Sequence, residues 1–344
     1  MSKINVGIIG ATGLAGVELF SILLKHPQVS KIYLSSEHNE GLDIKNIYPS
    51  FSNLNDYVLI SKEELIEKAD VIFISLPALK SEEIVSKISS SKYVIDLGSD
   101  FRLDSEEMYQ KWYGSEYKYK ETHKGKVYSI PELSDVYQKK LIANPGCYPT
   151  SIILGLYPVI KNLNNIGEHI IVDSKSGVSG AGKSLVENNL FVFCNESFQP
   201  YKVGTHRHIP EIEQEINKMS SKQYTVTFTP HLLPVTRGIE STIYIKLNEL
   251  IKFEDIKNLY LKEYRDKPFI RLLPEGVYPN IRYVKMTNYC DISFYVEERT
   301  KTLIIMTAID NLVKGAAGQA VQNMNKVLGY KETEGLDCLI SKAI

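Results

Sequence analysis

Cys147 sits in Asn144-Pro145-Gly146-Cys147-Tyr148-Pro149-Thr150, between a Pro-Gly turn and the apolar run 151–156. Pro149-Thr150 can open a helix through that run, and the unbonded N–H groups and positive dipole end of a helix start favour a thiolate over a thiol. An arbitrary cysteine is more often a small buried hydrophobe. The Pro-Gly approach and a pair of histidines farther along turn the reading toward a nucleophile. Those histidines lie in Thr205-His206-Arg207-His208-Ile209-Pro210-Glu211-Ile212. Pro210 fits the first turn of a helix through Ile216, leaving His208 just ahead of its N-terminus. An imidazole there can take the thiol proton and return it to a leaving phosphate or a substrate oxygen, so His208 is the expected acid/base. His206 is the alternate, since spacing does not say which ring faces the sulfur. Either histidine alone is as readily a loop cap or a satisfied core polar group.

Three cations stand where an anionic substrate could be held. Arg102 ends Leu97-Gly98-Ser99-Asp100-Phe101-Arg102, Arg237 lies in the rigid turn His231-Leu232-Leu233-Pro234-Val235-Thr236-Arg237-Gly238, and Lys183 closes Ser174-Lys175-Ser176-Gly177-Val178-Ser179-Gly180-Ala181-Gly182-Lys183. A local ion pair is as good a reading of Arg102 as a substrate clamp, and Asp96 reads as orienting its loop. The 174–183 stretch reads as a flexible, hydroxyl-rich loop. It lacks the glycine spacing of a nucleotide-hydrolysing phosphate loop, so ATP chemistry is not assigned, although Ser176, Ser179 and Gly180 could line a cofactor or phosphate pocket.

These groups need a frame. Residues 4–9 read as a buried strand, followed by Gly10-Ala11-Thr12-Gly13-Leu14-Ala15-Gly16 and a helical pattern over 17–24. Strand, glycine turn and helix together are the context in which backbone N–H groups meet a dinucleotide pyrophosphate. A second strand ends in Ser35-Ser36-Glu37-His38. Hydroxyls at that end suit a ribose phosphate, so NADP is expected over NAD, with Glu37 opposing it by charge. Helix at 63–67, strand at 70–74, helix at 81–88 and strand at 93–97 continue the alternation. Ser75 and Pro77 emerge at the carboxyl edge where ligands bind. After Cys147 the texture shifts to longer strands at 169–173, 224–229, 241–247 and 302–307, with helices at 255–264 and from 311 onward.

The fold class expected is α/β, a Rossmann-like dinucleotide-binding domain plus a mixed α+β catalytic and oligomerisation domain. Residues 1–145 form the first, with 311–344 packing back on it, and 146–310 form the second. A chain of 344 residues is long enough for two cores. Formal charge is −1 and the basic residues are spread out, which leaves no electrostatic footprint for nucleic acid or an acidic membrane. The 22 tyrosines are not interleaved with arginines and read as packing and interface residues. Cys147, Cys194, Cys290 and Cys338 show no CxxC pair or zinc-site spacing, so neither disulfide framework nor metal is expected, and a reducing compartment fits. With no targeting segment and no apolar stretch of bilayer length, the expected location is the cytoplasm.

Taken together, the motifs resemble the N-acetyl-gamma-glutamyl-phosphate reductase family, related in mechanism to aspartate-semialdehyde dehydrogenase. The resemblance runs nearly the whole chain: GATGLAG at 10–16, DLGSDFRL at 96–103, NPGCYPT at 144–150, SGVSGAGK at 176–183, HRHIPEI at 206–212, PHLLPVTRG at 230–238 and KGAAGQAVQNMN at 314–325. It implies that Cys147 is the nucleophile and that the acid/base histidine falls in the HRH motif, matched here to His208. The reaction implied is NADPH-dependent reduction of N-acetyl-L-glutamyl 5-phosphate to N-acetyl-L-glutamate 5-semialdehyde and phosphate through a cysteine thioester, in arginine biosynthesis, by a homo-oligomer, dimer or tetramer. Cofactor contacts are expected from Gly10, Thr12, Gly13, Leu14, Ala15, Gly16, Ser35, Ser36, Ser75, Pro77, Ser179, Gly180 and Asn311. Substrate contacts are expected from Arg102, Asn144, Lys183, His206 and Arg237. Gly98 replaces a small polar residue of the family pattern and Lys183 an arginine, which touches anion and cofactor contacts but not the cysteine chemistry. An acyl-phosphate reductase for another substrate is the nearest competitor. A non-enzymatic nucleotide sensor would leave Cys147 unexplained.

Overall fold

The computed structural model describes residues 3–183, 187 and 190–336. Cys338 and the end of the returning segment, 337–344, lie outside the described residues. Contacts divide the described residues into two units, those up to Pro145 together with those from Ala316, and Gly146–Gly315.

The first unit is built on β1 (Ile4–Ile9), β2 (Val29–Ser35), β3 (Val71–Ile74), β4 (Tyr93–Asp96), β5 (Lys126–Tyr128) and β6 (Leu141–Ala143). All are parallel, in the order β2-β1-β3-β4-β6-β5. Every residue of β3, Val-Ile-Phe-Ile, is buried, as a parallel strand covered on both faces requires. The strand order reverses between β1 and β3, so their carboxyl ends frame the crevice in which such sheets bind ligands. The helix Leu14–Leu23 follows β1, and the returning helix Gly318–Val327 packs against it. A hydrogen bond of 2.9 Å between His26 Nε2 and Asn325 Oδ1 ties the segment following the first helix to the returning one.

The second unit holds β7 (Ile166–Gly177), β8 (Gln199–Pro200), β9 (Thr225–Leu233), β10 (Ile239–Leu247), β11 (Ile270–Leu272), β12 (Cys290–Glu297) and β13 (Thr302–Ile309). They form one mixed sheet in the order β11-β12-β13-β10-β7-β9-β8. Along β10 the residues with inward side chains are buried while the alternate ones are half-buried or exposed, the signature of a sheet packed on one face. The helix Cys147–Asn162 lies on β10 and β13 and meets the helices His208–Lys218 and Phe253–Tyr264.

The α/β plus α+β architecture is as expected, with differences in detail. Residues 174–177, read as flexible loop, are the end of β7 in register with β9 and β10. Their hydroxyls point into the unit, where Ser174 Oγ bonds Ser241 Oγ at 2.7 Å. Strands β5, β6, β8, β11 and β12 were not expected; β5, β6, β8 and β11 are three residues or fewer. The helix expected from Asn311 starts later and wider, as a π turn over Val313–Ala317 that precedes Gly318–Val327. The cause is Asp310, whose Oδ1 accepts the N–H groups of Leu312 (2.8 Å) and Val313 (3.1 Å). No helix among the described residues is long and apolar enough to cross a membrane.

Candidate active site

At the end of β1, Gly10 has φ +87° and its missing side chain leaves room for Ser75, whose carbonyl oxygen would lie 2.3 Å from a β-carbon there. Gly16 packs equally close, with a β-carbon 2.2 Å from the Gly10 oxygen. Only glycine meets these two demands, so the turn folds tightly against the next helix. Gly13 is the N-cap, in extended geometry and with no side chain satisfying the first turn, so Leu14, Ala15 and Gly16 begin the helix with N–H groups facing the crevice end. Beside it opens a cleft of about 420 Å³ lined by Gly10, Ser35, Ser36, Pro77, Lys62 and Lys80 among others. Thr12 Oγ1 and Ser36 Oγ are 2.8 Å apart, which closes the glycine turn onto the end of β2. Ser75 N donates to Ile9 O at 2.9 Å and continues the β1–β3 ladder. A glycine cradle that no side chain could enter, followed by an uncapped helix start, fits a dinucleotide pyrophosphate.

The second turn is made like the first. After β6 the chain passes Asn144 and Pro145, and Gly146 is the N-cap of Cys147–Asn162, again extended and with no side-chain cap bond. The helix thus starts at Cys147, two residues before the expected Pro149. Proline sits anywhere in a first turn without losing a helical bond, because those N–H groups have no intrahelical partner. Cys147 is half-buried in the first helical position, where the dipole acts most strongly on an anion.

The histidine helix also starts earlier than expected, with His208 as its first residue rather than ahead of it. Glu211, one turn on and buried, accepts the Gly146 N–H at 2.8 Å. That bond fastens the histidine helix to the turn carrying Cys147. Tyr148 stands edge-on to both rings, 5.5 Å from His206 and 5.9 Å from His208, and the two histidine rings are 4.6 Å apart. The Tyr148 and Tyr201 hydroxyls are 3.0 Å apart. Burial lifts both phenols above the ordinary range, so they stay protonated. His206 is buried, and desolvation, aided by Lys202 and Arg207, drives its pKa down to about 3. Its Nδ1 accepts the His208 backbone N–H at 3.1 Å, so the neutral ring carries its proton on Nε2. Glu211, Tyr148 and Tyr201 were not among the sequence candidates.

The polar residues around these turns have defined partners. Arg102 is buried, with Nε on the Asn144 oxygen (3.0 Å) and Nη2 on the Leu97 oxygen (2.8 Å). Asn144 accepts from Asn323 Nδ2 at 3.1 Å and donates to the Ala316 oxygen at 3.3 Å. Asp96 is fully buried and accepts from Ser81 Oγ and Gly98 N. Its Oδ2 has no hydrogen-bond partner, and desolvation with the neighbouring Asp100 raises its pKa to about 7. In the second unit Asn311 accepts from Gly238 N (2.8 Å) and donates to Ser179 Oγ (3.0 Å), with Gly180 alongside. Arg237 lies 3.4 Å from Asp310. Lys183 is exposed, in the turn after 178–181.

Comparison with known proteins gives the class first. The family model described as "Semialdehyde dehydrogenase, NAD binding domain" matches residues 5–141, and "Semialdehyde dehydrogenase, dimerisation domain" matches 147–311. Among solved structures, aspartate semialdehyde dehydrogenase II of Vibrio cholerae, complexed with ASA, superposes with a TM-score of 0.71, covering 95% of this chain and 98% of that one at 19% identity. The Candida albicans enzyme with NADP gives 0.70 at 17% identity, covering 95% and 99%. At such identities these structures establish the fold alone. Full-length relatives are far more similar. N-acetyl-gamma-glutamyl-phosphate reductase of Brachyspira hyodysenteriae is 51% identical, covering 97% of this chain and 98% of the relative. That of Clostridium botulinum is 49% identical, covering 99% of each. The chain belongs to the N-acetyl-gamma-glutamyl-phosphate reductase family.

Proposed function

We propose that this chain reduces N-acetyl-L-glutamyl 5-phosphate to N-acetyl-L-glutamate 5-semialdehyde and phosphate, with Cys147 as covalent nucleophile and His208 as acid/base. The observation that carries the reading is Cys147 in the first position of a 16-residue helix whose N-cap N–H is held by Glu211 of the histidine helix. The Cys147 sulfur attacks the acyl carbon while His208 takes its proton. The carbon–oxygen bond to phosphate breaks, the departing phosphate receives that proton, and a thioester remains on the enzyme. Bound NADPH supplies the hydride that reduces this acyl group. Collapse of the resulting oxyanion breaks the carbon–sulfur bond, frees the aldehyde and leaves the thiolate at the helix start, which takes up one proton from solvent to complete the cycle. N–H groups of the first turn can hold the oxyanion in each stage. His206, neutral at working pH, presents Nε2–H as a fixed donor to substrate.

For the cofactor, Gly10, Thr12, Gly13, Leu14, Ala15 and Gly16 would hold the pyrophosphate, and Ser35 and Ser36 the ribose phosphate. The same cleft carries Lys62 and Lys80 together with Glu37, Glu40, Glu63 and Glu83. Ser75 and Pro77 would line the same site, and Ser179, Gly180 and Asn311 are the further cofactor contacts we expect. For the substrate, Arg237 and Lys183 would contact its anionic groups, and Arg102 would act with Asn144 by holding the turn before Cys147. Residues 1–145 with the segment from 311 form the nucleotide domain and 146–310 the catalytic domain. The dimerisation description of 147–311 supports a homo-oligomer. The cytoplasm, a reducing compartment, suits a mechanism that requires a thiolate.

The test is a steady-state assay with N-acetylglutamate semialdehyde, phosphate and NADP or NAD, on intact protein and on Cys147→Ser. Expected are phosphate-dependent reduction of NADP and a kcat lower by about 10³-fold or more in the variant, as for removal of other covalent nucleophiles. Folded protein that shows no phosphate-dependent reduction of either cofactor would sink the reaction.

A further inference from the structure

We infer that Gly315 is a positioning residue for the nucleophile, because a π turn presses its bare backbone against Cys147 and so fixes where the sulfur stands. The inference rests on the reading of Cys147 given above. A β-carbon on Gly315 would lie 2.7 Å from Cys147 Cβ, 3.1 Å from Cys147 Cα and 3.4 Å from Ile309 Cδ1. Two of these atoms are the stem of the nucleophile, set in the first turn of a helix, and neither can swing away as a side-chain tip could.

The turn opposite cannot withdraw cheaply. Gly315 N donates to the Asp310 oxygen at 2.9 Å, the five-residue bond of the π turn Val313–Ala317. Such turns are uncommon and concentrate at functional sites. Asp310 is buried and anchors the turn through Oδ1 to Leu312 N and Val313 N, and through Oδ2 to Met286 N at 2.7 Å and Arg237 at 3.4 Å. Asn311 adds its bonds to Gly238 and Ser179. Backing the turn off by the width of a methyl group would loosen several buried hydrogen bonds, and a buried polar group left unpaired is costly. Moving Cys147 is the easier relief, and attack geometry is sensitive to displacements on the order of 1 Å.

Gly155 supplies a matched control. It lies in the same helix as Cys147, and a β-carbon there would meet Thr307 Cγ2 at 2.9 Å and Ile243 Cδ1 at 3.3 Å, a crowding of similar severity away from the thiol. The experiment compares Gly315→Ala and Gly155→Ala for kcat, KM, Tm and the pH profile of iodoacetamide alkylation at the Cys147 peptide without substrates. Gly315→Ala should lower kcat about 100-fold and displace the alkylation profile, whereas Gly155→Ala should lower Tm and leave both unchanged. A Gly315→Ala protein with normal kcat and alkylation overturns the inference, as does loss of kcat in both variants in proportion to Tm. If Gly315→Ala does not fold, the double variant with Cys147→Gly, which removes the opposing β-carbon, must restore folding, and its failure overturns the inference equally. Activity surviving in Cys147→Ser would instead reject the nucleophile itself, so the two failures are separable.

Discussion

Two helix starts in this chain share one backbone device and put it to different use. Gly13, at φ −72° and ψ 166°, caps Leu14–Leu23, and Gly146, at φ −66° and ψ 158°, caps Cys147–Asn162. Each follows a parallel strand, and neither receives a side-chain cap, so both first turns present N–H groups and the positive end of the dipole. At the first, glycines at 10 and 16 let the turn pack tightly on Ser75 and on itself, and the N–H groups of the first turn are left for an outside anion. At the second, a thiol fills the equivalent place, and on the proposed reading the anion is part of the chain. Placement on a helix start therefore does not distinguish phosphate binding from nucleophilic catalysis. What distinguishes them is the neighbourhood: hydroxyls and open cleft beside the first, and beside the second an imidazole pair locked in place by Glu211.

The comparison breaks first at the histidines. His208→Asn should lower kcat by about 10²–10⁴-fold, the usual range for a positioned acid/base. It should remove the acid limb of the kcat/KM profile and leave NADPH affinity unchanged in fluorescence titration. His206→Asn should lose less and keep that limb, since a ring held near pKa 3 does not titrate in the working range. A larger loss of the chemical step at His206 would reverse the two roles.

A smaller effect is expected at the other helix start. Gly10→Ala meets both a left-handed φ and the Ser75 oxygen, a combined penalty of about 2–4 kcal/mol. The NADPH dissociation constant should rise roughly 100-fold if about 3 kcal/mol of that penalty falls on the bound state. The alkylation profile of Cys147 should stay in place, and a shift there would mean that the two helix starts are not functionally separate. Smallest is the effect on acid stability. The folded state lowers the His206 pKa from 6.5 to about 3, so the unfolded chain binds the extra proton. This contribution is present above about pH 6.5 and is lost as pH falls toward 3. His206→Asn should flatten the fall of Tm between pH 6.5 and 4, and an unchanged slope would contradict the shift.

Much of this was legible in the sequence because it is local. The strand, glycine turn and helix at 4–24 follow one another directly, and Pro-Gly before Cys147 announces a turn wherever it occurs. The helix start was misplaced at Pro149 because proline marks a first turn without marking which position in it. Glu211 went unread although it stands in the same motif as His208. Its partner is the backbone of Gly146, 65 residues away, and no spacing encodes that. β12 was missed although Cys290-Asp291-Ile292-Ser293-Phe294 alternates apolar and polar; in the structure all five are buried, so its polar residues do not mark a wet face. Arg102 looked like an anion clamp, and its Nε and Nη2 prove to hold backbone carbonyls, a use of arginine that composition does not reveal.

The central claim is that the reacting acyl group becomes bonded to Cys147. The most direct measurement mixes the enzyme with N-acetylglutamate semialdehyde and NADP in the absence of phosphate, follows NADPH formation, and analyses the quenched protein by mass spectrometry. A stoichiometric burst of NADPH is predicted, with the N-acetylglutamyl group on the Cys147 peptide and its release when phosphate is added. A first turnover that requires phosphate and leaves Cys147 unmodified would contradict the account.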